Sequence, residues 1–452
     1  MKRFALLALV VASLGACNDT VVVGGLQEVA SLRSRPNRNL DILFVIDNSP
    51  STGDKQAALA AAFPRMIDVL SQVDGGLPNL HIGVVTSDMG TSSSGDAIPA
   101  PSIGQPGNGG CMGVGDDGRL KRTGVMTEAF LSDVEGPGGT RVKNYTGTLR
   151  EVFSQVAQVG YGGCGIEQPL AAMKRALANP ANAGFVREDA NLAIVLLADE
   201  DDCSMKHGAL LAPDTTALGP LDSFRCFRFG VECKEDTNTL GPKTHCIAAT
   251  ASPYIDDLNP FVDAILAAKS DARMVMTAAI VGDPTPVQVE LRPPPGGGSP
   301  QNALGHSCTF DSPNGFAVAD PAVRLAGLLD SFPGRSALTS ICSGDLTNPM
   351  QLIGDSAKKL IGDTCLDTAT LADVSAVDPG VQPSCEVADI RDSVPGAATM
   401  LPLCSSGAPD CYEFVADAAA CPDTLDHLRV RIRRSATVAD DSWTYIRCQL
   451  AQ

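Results

Sequence analysis

The chain repeats one pattern: a short apolar run, a polar or small-residue stretch, then apolar residues three and four positions apart. Ile42 to Ile46 are apolar at every position, with Leu40 ahead of Asp41. Such a run predicts a strand buried on both faces rather than one with a wet side. Leu59, Phe63, Met66, Ile67, Leu70 and Val73 follow at helical spacing, with Pro64 expected to kink the helix. Leu80 to Thr86, Leu192 to Ala198, Met274 to Val281 and the shorter Leu338 to Cys342 read as further strands. Between them Leu149, Val152, Phe153 and Val156, then Ile166, Leu170, Met173 and Leu177, then Phe261 and Ile265, then Leu325, Leu328 and Phe332, then Ile353, Ala357 and Ile361 mark helices. Strands alternating with helices predict an α/β fold built on a doubly wound, mostly parallel sheet.

Two kinds of segment interrupt that alternation. Gly90 to Gly118 is rich in Gly, Ser and Pro and reads as a long loop insertion, while Cys203 to Pro253 holds four cysteines with little periodicity and reads as a disulfide-bonded insertion. Beyond Cys365 the texture changes to scattered cysteines and short alternations. Leu428, Val430 and Ile432 alternate with Arg429, Arg431 and Arg433, which predicts a strand with one buried face, for which Trp443 to Cys448 is a possible partner. A small disulfide-stapled β-rich module is expected there, since so short a segment has little core of its own.

Met1 to Ala16 carries Lys2 and Arg3 ahead of a mostly apolar run too short to span a bilayer, the layout of a secretory signal. Leu14, Gly15, Ala16 and Cys17 resemble the bacterial lipobox, which implies lipid on Cys17 and a cell-envelope location, at the outer membrane or cell surface. The expected organisation is therefore a signal at 1–16, a lipidated cysteine and tether at 17–39, the α/β domain with insertions at 40–364, and the cysteine-rich module at 365–452.

Cysteine number agrees with that compartment. Of fifteen cysteines, setting Cys17 aside leaves an even number suited to disulfides, and no C-x2-C or H-x3-H spacing favours zinc instead. A net charge of −18 argues against nucleic acid and an anionic membrane surface as direct partners of the folded body, with solubility its plainer use, and with only 4% aromatic residues stacking surfaces are scarce.

The candidate chemistry lies where apolar runs end on carboxylates. Asp47 closes the first strand and is followed at every second residue by Ser49 and Ser51, and Asp199 closes the most apolar strand, ahead of Glu200, Asp201 and Asp202. Carboxylates and hydroxyls are the hard oxygens that Mg²⁺ or Mn²⁺ prefers, and ligands of such sheets bind at the carboxyl ends of the strands. The other use of these residues is structural, with the serines capping the next helix and Asp47 accepting backbone N–H groups.

The Asp47-x-Ser49-x-Ser51 loop after DILFVID resembles the metal-ion-dependent adhesion site of the von Willebrand factor A family. The resemblance implies that Asp47, Ser49, Ser51 and Asp199 hold a divalent cation, Mg²⁺ or else Mn²⁺ or Ca²⁺, through which a protein ligand is bound. A threonine completes the family's set, and Cys164 stands in its expected place after Gly162 and Gly163. A thiol suits Mg²⁺ poorly, and Cys111, in the long loop beside the same end of the sheet, is its candidate disulfide partner. Thr86, Asp88, Asp201 and Asp202 are possible substitutes for the missing ligand. The acidic run itself reads as a solvated loop, having no D-x-D-x-D-G spacing.

The leading expectation is a lipid-anchored, non-enzymatic protein-binding module of adhesion type. A metal-free structural subunit of an envelope assembly is the alternative. A Mg-dependent hydrolase is a third, against which stand the missing G-x-S-x-G, H-E-x-x-H and P-loop signatures.

Overall fold

The computed structural model describes residues 26–451 apart from 35–36, 74, 295–296, 313–314, 363, 376, 378–379, 395, 419, 422–423 and 440. The signal segment, Cys17 and the first part of the tether lie outside the described residues. The largest sheet has seven strands, in the order Ser336–Ser340, Val275–Val281, Asn191–Leu197, Asn39–Ile46, Asn79–Thr86, Leu131–Glu135 and Arg141–Lys143. The first five pair in parallel, and the last two join antiparallel at one edge.

The uninterrupted apolar runs are explained by what covers this sheet. Along Asn39–Ile46, the even-numbered Ile42, Phe44 and Ile46 pack with helices Gly53–Leu70, Leu149–Val156 and Thr347–Ile361. Leu43 and Val45 point the other way, into a second cluster with helices Pro169–Ala178, Asn259–Ala267 and Val323–Asp330. Successive side chains of a strand face opposite sides, so apolar residues are needed at every position. Asp41, the polar break in the run, is fully buried and paired with Lys269 at 3.1 Å and Arg187 at 2.8 Å, which is how a charge is tolerated there. In the first cluster Phe63 stacks on Phe153 with centroids 3.6 Å apart, and Phe44 lies 4.9 Å from Phe153. Pro64 lies inside a helix that runs on from Gly53 to Leu70.

The expected fold class is corrected by the strand pairing. Eleven of the fifteen pairings between strands among the described residues are antiparallel. The strands divide among seven sheets, and the six smaller ones have no parallel pairing. The chain is thus a mixed α/β protein with many separate antiparallel sheets, not a doubly wound, mostly parallel one. The two insertions contribute short antiparallel pairs, Ile103–Gln105 with Asn108–Cys111 and Val231–Glu232 with Ile247–Ala248, and the hairpin of Cys308–Ser312 with Gly315–Ala319 lies in a segment to which the pattern assigned no element.

The segment beyond Cys365 contains several β-strands, and their pairing differs from the expected one. Leu428–Arg433 joins Cys411–Ala416, while Ser442–Gln449 joins Cys385–Arg391 on one side and Leu26–Arg33 on the other. Part of the segment read as a tether is therefore a strand of this module. Fourteen cysteines form seven disulfides, and three of these, Cys365–Cys421, Cys385–Cys448 and Cys404–Cys411, lie within the module. So many disulfides mark a protein of an oxidising, extracytoplasmic compartment. No helix among the described residues is long and apolar enough to cross a membrane.

The stacked aromatic cluster joins three elements of the core. Phe153→Ala is expected to lower unfolding stability by about 3–5 kcal/mol, read from the denaturant midpoint, and a loss below about 1 kcal/mol would contradict this packing.

Candidate metal centre

The rim where these strands end is assembled by main-chain bonds that continue the sheet. Asp47 N–H donates to Leu197 O at 2.9 Å, Ser87 N–H to Ile46 O at 3.1 Å and Ala198 N–H to Ile280 O at 3.3 Å. Asn39–Ile46 and Asn191–Leu197 are adjacent, with Ile46 opposite Leu197, so the carboxylates that follow them arrive side by side. The sequence placed Asp47 and Asp199 at strand ends, and the structure brings both to one rim, where each is almost wholly buried.

The first loop is held rigidly. Asp47 Oδ1 accepts from Ser49 N–H at 2.8 Å and from Ser87 Oγ at 3.2 Å. Ser49 Oγ and Ser51 Oγ lie 3.1 Å apart, and Thr52 Oγ1 donates to Ser49 O at 2.8 Å. Thr52 is the N-cap of helix Gly53–Leu70 and makes no side-chain capping bond. The serines are thus not helix caps, and only one oxygen of Asp47 serves the backbone. Ser49 is buried, whereas Pro50 and Ser51 are exposed, so the loop opens to solvent at Ser51.

A second loop closes on the first. Gly163 N–H donates to Asn48 O at 2.8 Å, and Gln56 Nε2 bridges Asp47 O at 2.8 Å and Gly160 O at 2.6 Å. The Asn48 amide fills the place a Cβ on Gly163 would take, 2.4 Å away, so the close approach needs glycine there. Cys164 is disulfide-bonded to Cys111, as the loop positions suggested, and offers no thiol.

The remaining sequence candidates are engaged elsewhere. Thr86 Oγ1 donates to Asp116 at 2.6 Å, and Asp88 accepts from Gly90 N–H at 2.8 Å and Cys164 N–H at 3.3 Å. Asp201 accepts the N–H groups of Arg324 and Leu325 at the start of helix Val323–Asp330, and Asp202 pairs with the Arg324 side chain at 3.0 Å, both partners being fully buried. The acidic run is therefore not a solvated loop. Its charges lock the strand end to that helix, and burial raises the Asp201 pKa to about 6.

Two residues at the rim, Lys55 and Glu167, escaped the sequence reading, and Glu200 was read only as part of a solvated acidic run. Lys55 reaches back from the first turn of its helix, donating from Nζ to Asp199 Oδ2 at 2.5 Å and to Ser51 O at 2.9 Å. Glu167 and Glu200 are brought into the same charge cluster. A lysine in the first turn of an amphipathic helix ordinarily reads as solvent-facing, so only its place one turn after Ser51 hinted at this role. Glu167 had no signal beyond standing just before a helix.

Electrostatics shows the cluster short of positive charge. Burial, and then the Asp199 charge, hold the Asp47 carboxyl far above its ordinary range. Glu167 is raised likewise by burial and by the charges of Glu200 and Asp47, and burial pushes Glu200 up to about 7. Four buried side-chain oxygens here, Asp47 Oδ2, Asn48 Oδ1, Glu167 Oε1 and Asp199 Oδ1, have no hydrogen-bond partner. Such orphaned acceptors are costly in a protein interior and mark a place for a cation, a proton or water. Hard anionic and hydroxyl oxygens fit Mg²⁺ or Mn²⁺. Among the described residues no three His, Cys, Asp or Glu side chains are gathered around one point as they stand.

No protein-family model matches the chain, and no curated protein matches it. Among solved structures it is similar to the pilus adhesin SpaC of Lactobacillus rhamnosus GG in its open conformation, at 11% identity and a TM-score of 0.31, covering 93% of this chain and 39% of that one. The conserved hypothetical protein BatB of Bacteroides thetaiotaomicron gives 11% identity and 0.27, covering 71% and 98%. The pilus adhesin RrgA of Streptococcus pneumoniae gives 10% and 0.26, covering 94% and 58%. The chain thus spans less than two thirds of either adhesin's length, and TM-scores of this size stop short of a shared fold.

Carboxyls whose pKa is raised in the folded state add stability below their unfolded pKa and lose it as pH rises through the folded value. In metal-free buffer the melting temperature is therefore expected to fall as pH rises from about 4.5 to about 7, the ordinary and the raised values for Glu200, with Glu200→Gln flattening the slope in a thermal-shift series. An unchanged slope in that variant would contradict the assignment.

Proposed function

We propose that this chain is an extracytoplasmic, lipid-anchored binding module that engages an acidic side chain of a protein partner through a divalent cation. Asp47, Ser49, Ser51 and Asp199 would hold the cation, as in the von Willebrand A-type loop that the sequence resembles. The observation that carries the reading is the pair of orphaned oxygens, Asp47 Oδ2 and Asp199 Oδ1, on carboxylates buried at one rim beside an exposed Ser51. Bound there, a divalent ion supplies charge for the buried carboxylates and an open position for a further carboxylate oxygen. The protein's own part is positional. Ser49 N–H and Ser87 Oγ fix Asp47, Gln56 ties the two loops, and the Cys111–Cys164 disulfide braces the second loop against the long insertion.

A second reading, a metal-free scaffold subunit, is favoured by one observation: the Lys55–Asp199 ion pair already places a positive charge at the rim. Calorimetric titration of the mature protein with Mg²⁺ and Mn²⁺ separates the two. Saturable binding by the wild type, lost in Asp47→Ala, is expected, and no uptake by a folded wild type would favour the scaffold. The anchor is tested by mass spectrometry of the mature amino terminus, where lipid on Cys17 is expected and an unmodified Cys17 would rule it out.

A further inference from the structure

We propose that Lys55 is the built-in counter-cation of this centre and sets how tightly it holds a divalent ion. The inference rests on the reading of Asp47, Ser49, Ser51 and Asp199 as a cation centre. Lys55 stands in the first turn of helix Gly53–Leu70, yet its side chain is turned inward and is only 4% exposed. Its ammonium joins the two elements that a bound cation would join: Ser51 O of the first loop at 2.9 Å and Asp199 Oδ2 at the end of the neighbouring strand at 2.5 Å. On a further side lies the ring of Phe310, 6.0 Å from Nζ to its centroid. That ring belongs to the hairpin Cys308–Ser312 and Gly315–Ala319, which Cys308–Cys342 fastens to the chain after strand Ser336–Ser340.

An ammonium carries one charge and three N–H donors, so it can satisfy only part of this rim. Asp47 Oδ2 and Asp199 Oδ1 remain without partners, although both residues are buried. Asp199 would be shared between Lys55 and a divalent ion held at the rim, and the fixed ammonium would repel that ion. Lys55 thus keeps the loop and Asp199 together when no metal is bound, and weakens the hold on metal when one is. This also accounts for a rim rich in carboxylates in which, among the described residues, no ready-made cage is formed.

The test is Mn²⁺ binding followed by the paramagnetic resonance of the free ion, on the mature wild type, Lys55→Met and Lys55→Gln, with circular dichroism to verify folding. Gln keeps a donor toward Asp199 and serves where the methionine variant does not fold. Loss of the ammonium is expected to tighten Mn²⁺ binding by roughly tenfold or more. Uptake by a variant with none by the wild type would support the proposal equally, since the ammonium then wins the competition. Unchanged or weaker binding in a folded variant, with the wild type binding, overturns the role of Lys55 alone. No uptake by any of the folded proteins overturns the cation centre itself, and the proposal with it.

Discussion

The structure is constrained most by two carboxylates brought together where both are almost wholly buried. Strands Asn39–Ile46 and Asn191–Leu197 are parallel neighbours, so Asp47 and Asp199 must emerge at the same rim. Burial, and then the charge of Asp199, raise the cost of ionising Asp47. That repulsion is answered only in part, by N–H and hydroxyl donors on one oxygen of Asp47 and an ammonium on one oxygen of Asp199, while the other oxygen of each has no partner. A fold that needed only packing would carry apolar residues there, since a buried ionic group rarely improves on them for stability. The retained charge is the physical reason to read the rim as a site.

The surroundings are built to keep that site fixed while leaving one side open. The two loops are joined by backbone bonds at Asn48 and by Gln56, and disulfides brace the walls at Cys111–Cys164 and Cys308–Cys342. Behind the rim, Asp202 and Arg324 pair in full burial, so the acidic residues after Asp199 anchor the strand end. Ser51 and Pro50 alone of the first loop face solvent, which points the hydroxyl side of the site outward.

Much of this was legible in the sequence, for reasons that can be named. Apolar runs without a polar face located the buried strands, and their termination on Asp47 and Asp199 located the rim. The paired thiols at Cys111 and Cys164 followed from loops expected at one end of a sheet. What was not legible depends on contacts distant in sequence. Lys55 reads as an exposed helix residue until Asp199, far along the chain, is placed beside it. The same holds for Asp202, read as solvated because its partner Arg324 lies in another helix. The fold class was misread because insertions show weak periodicity, and short antiparallel hairpins hide in them. Alternation along Leu428–Arg433 revealed a strand but carried no information about its neighbour, which is Cys411–Ala416 and not Ser442–Gln449.

The central claim is that a divalent cation belongs between Asp47 and Asp199. Anomalous diffraction from crystals of the mature protein grown with Mn²⁺ tests it most directly. The account expects a manganese peak within coordination distance of Asp47 Oδ2 and Asp199 Oδ1, with Ser49 or Ser51 among its ligands. Well-ordered carboxylates with no peak between them, and Lys55 still paired with Asp199 at saturating Mn²⁺, would contradict it.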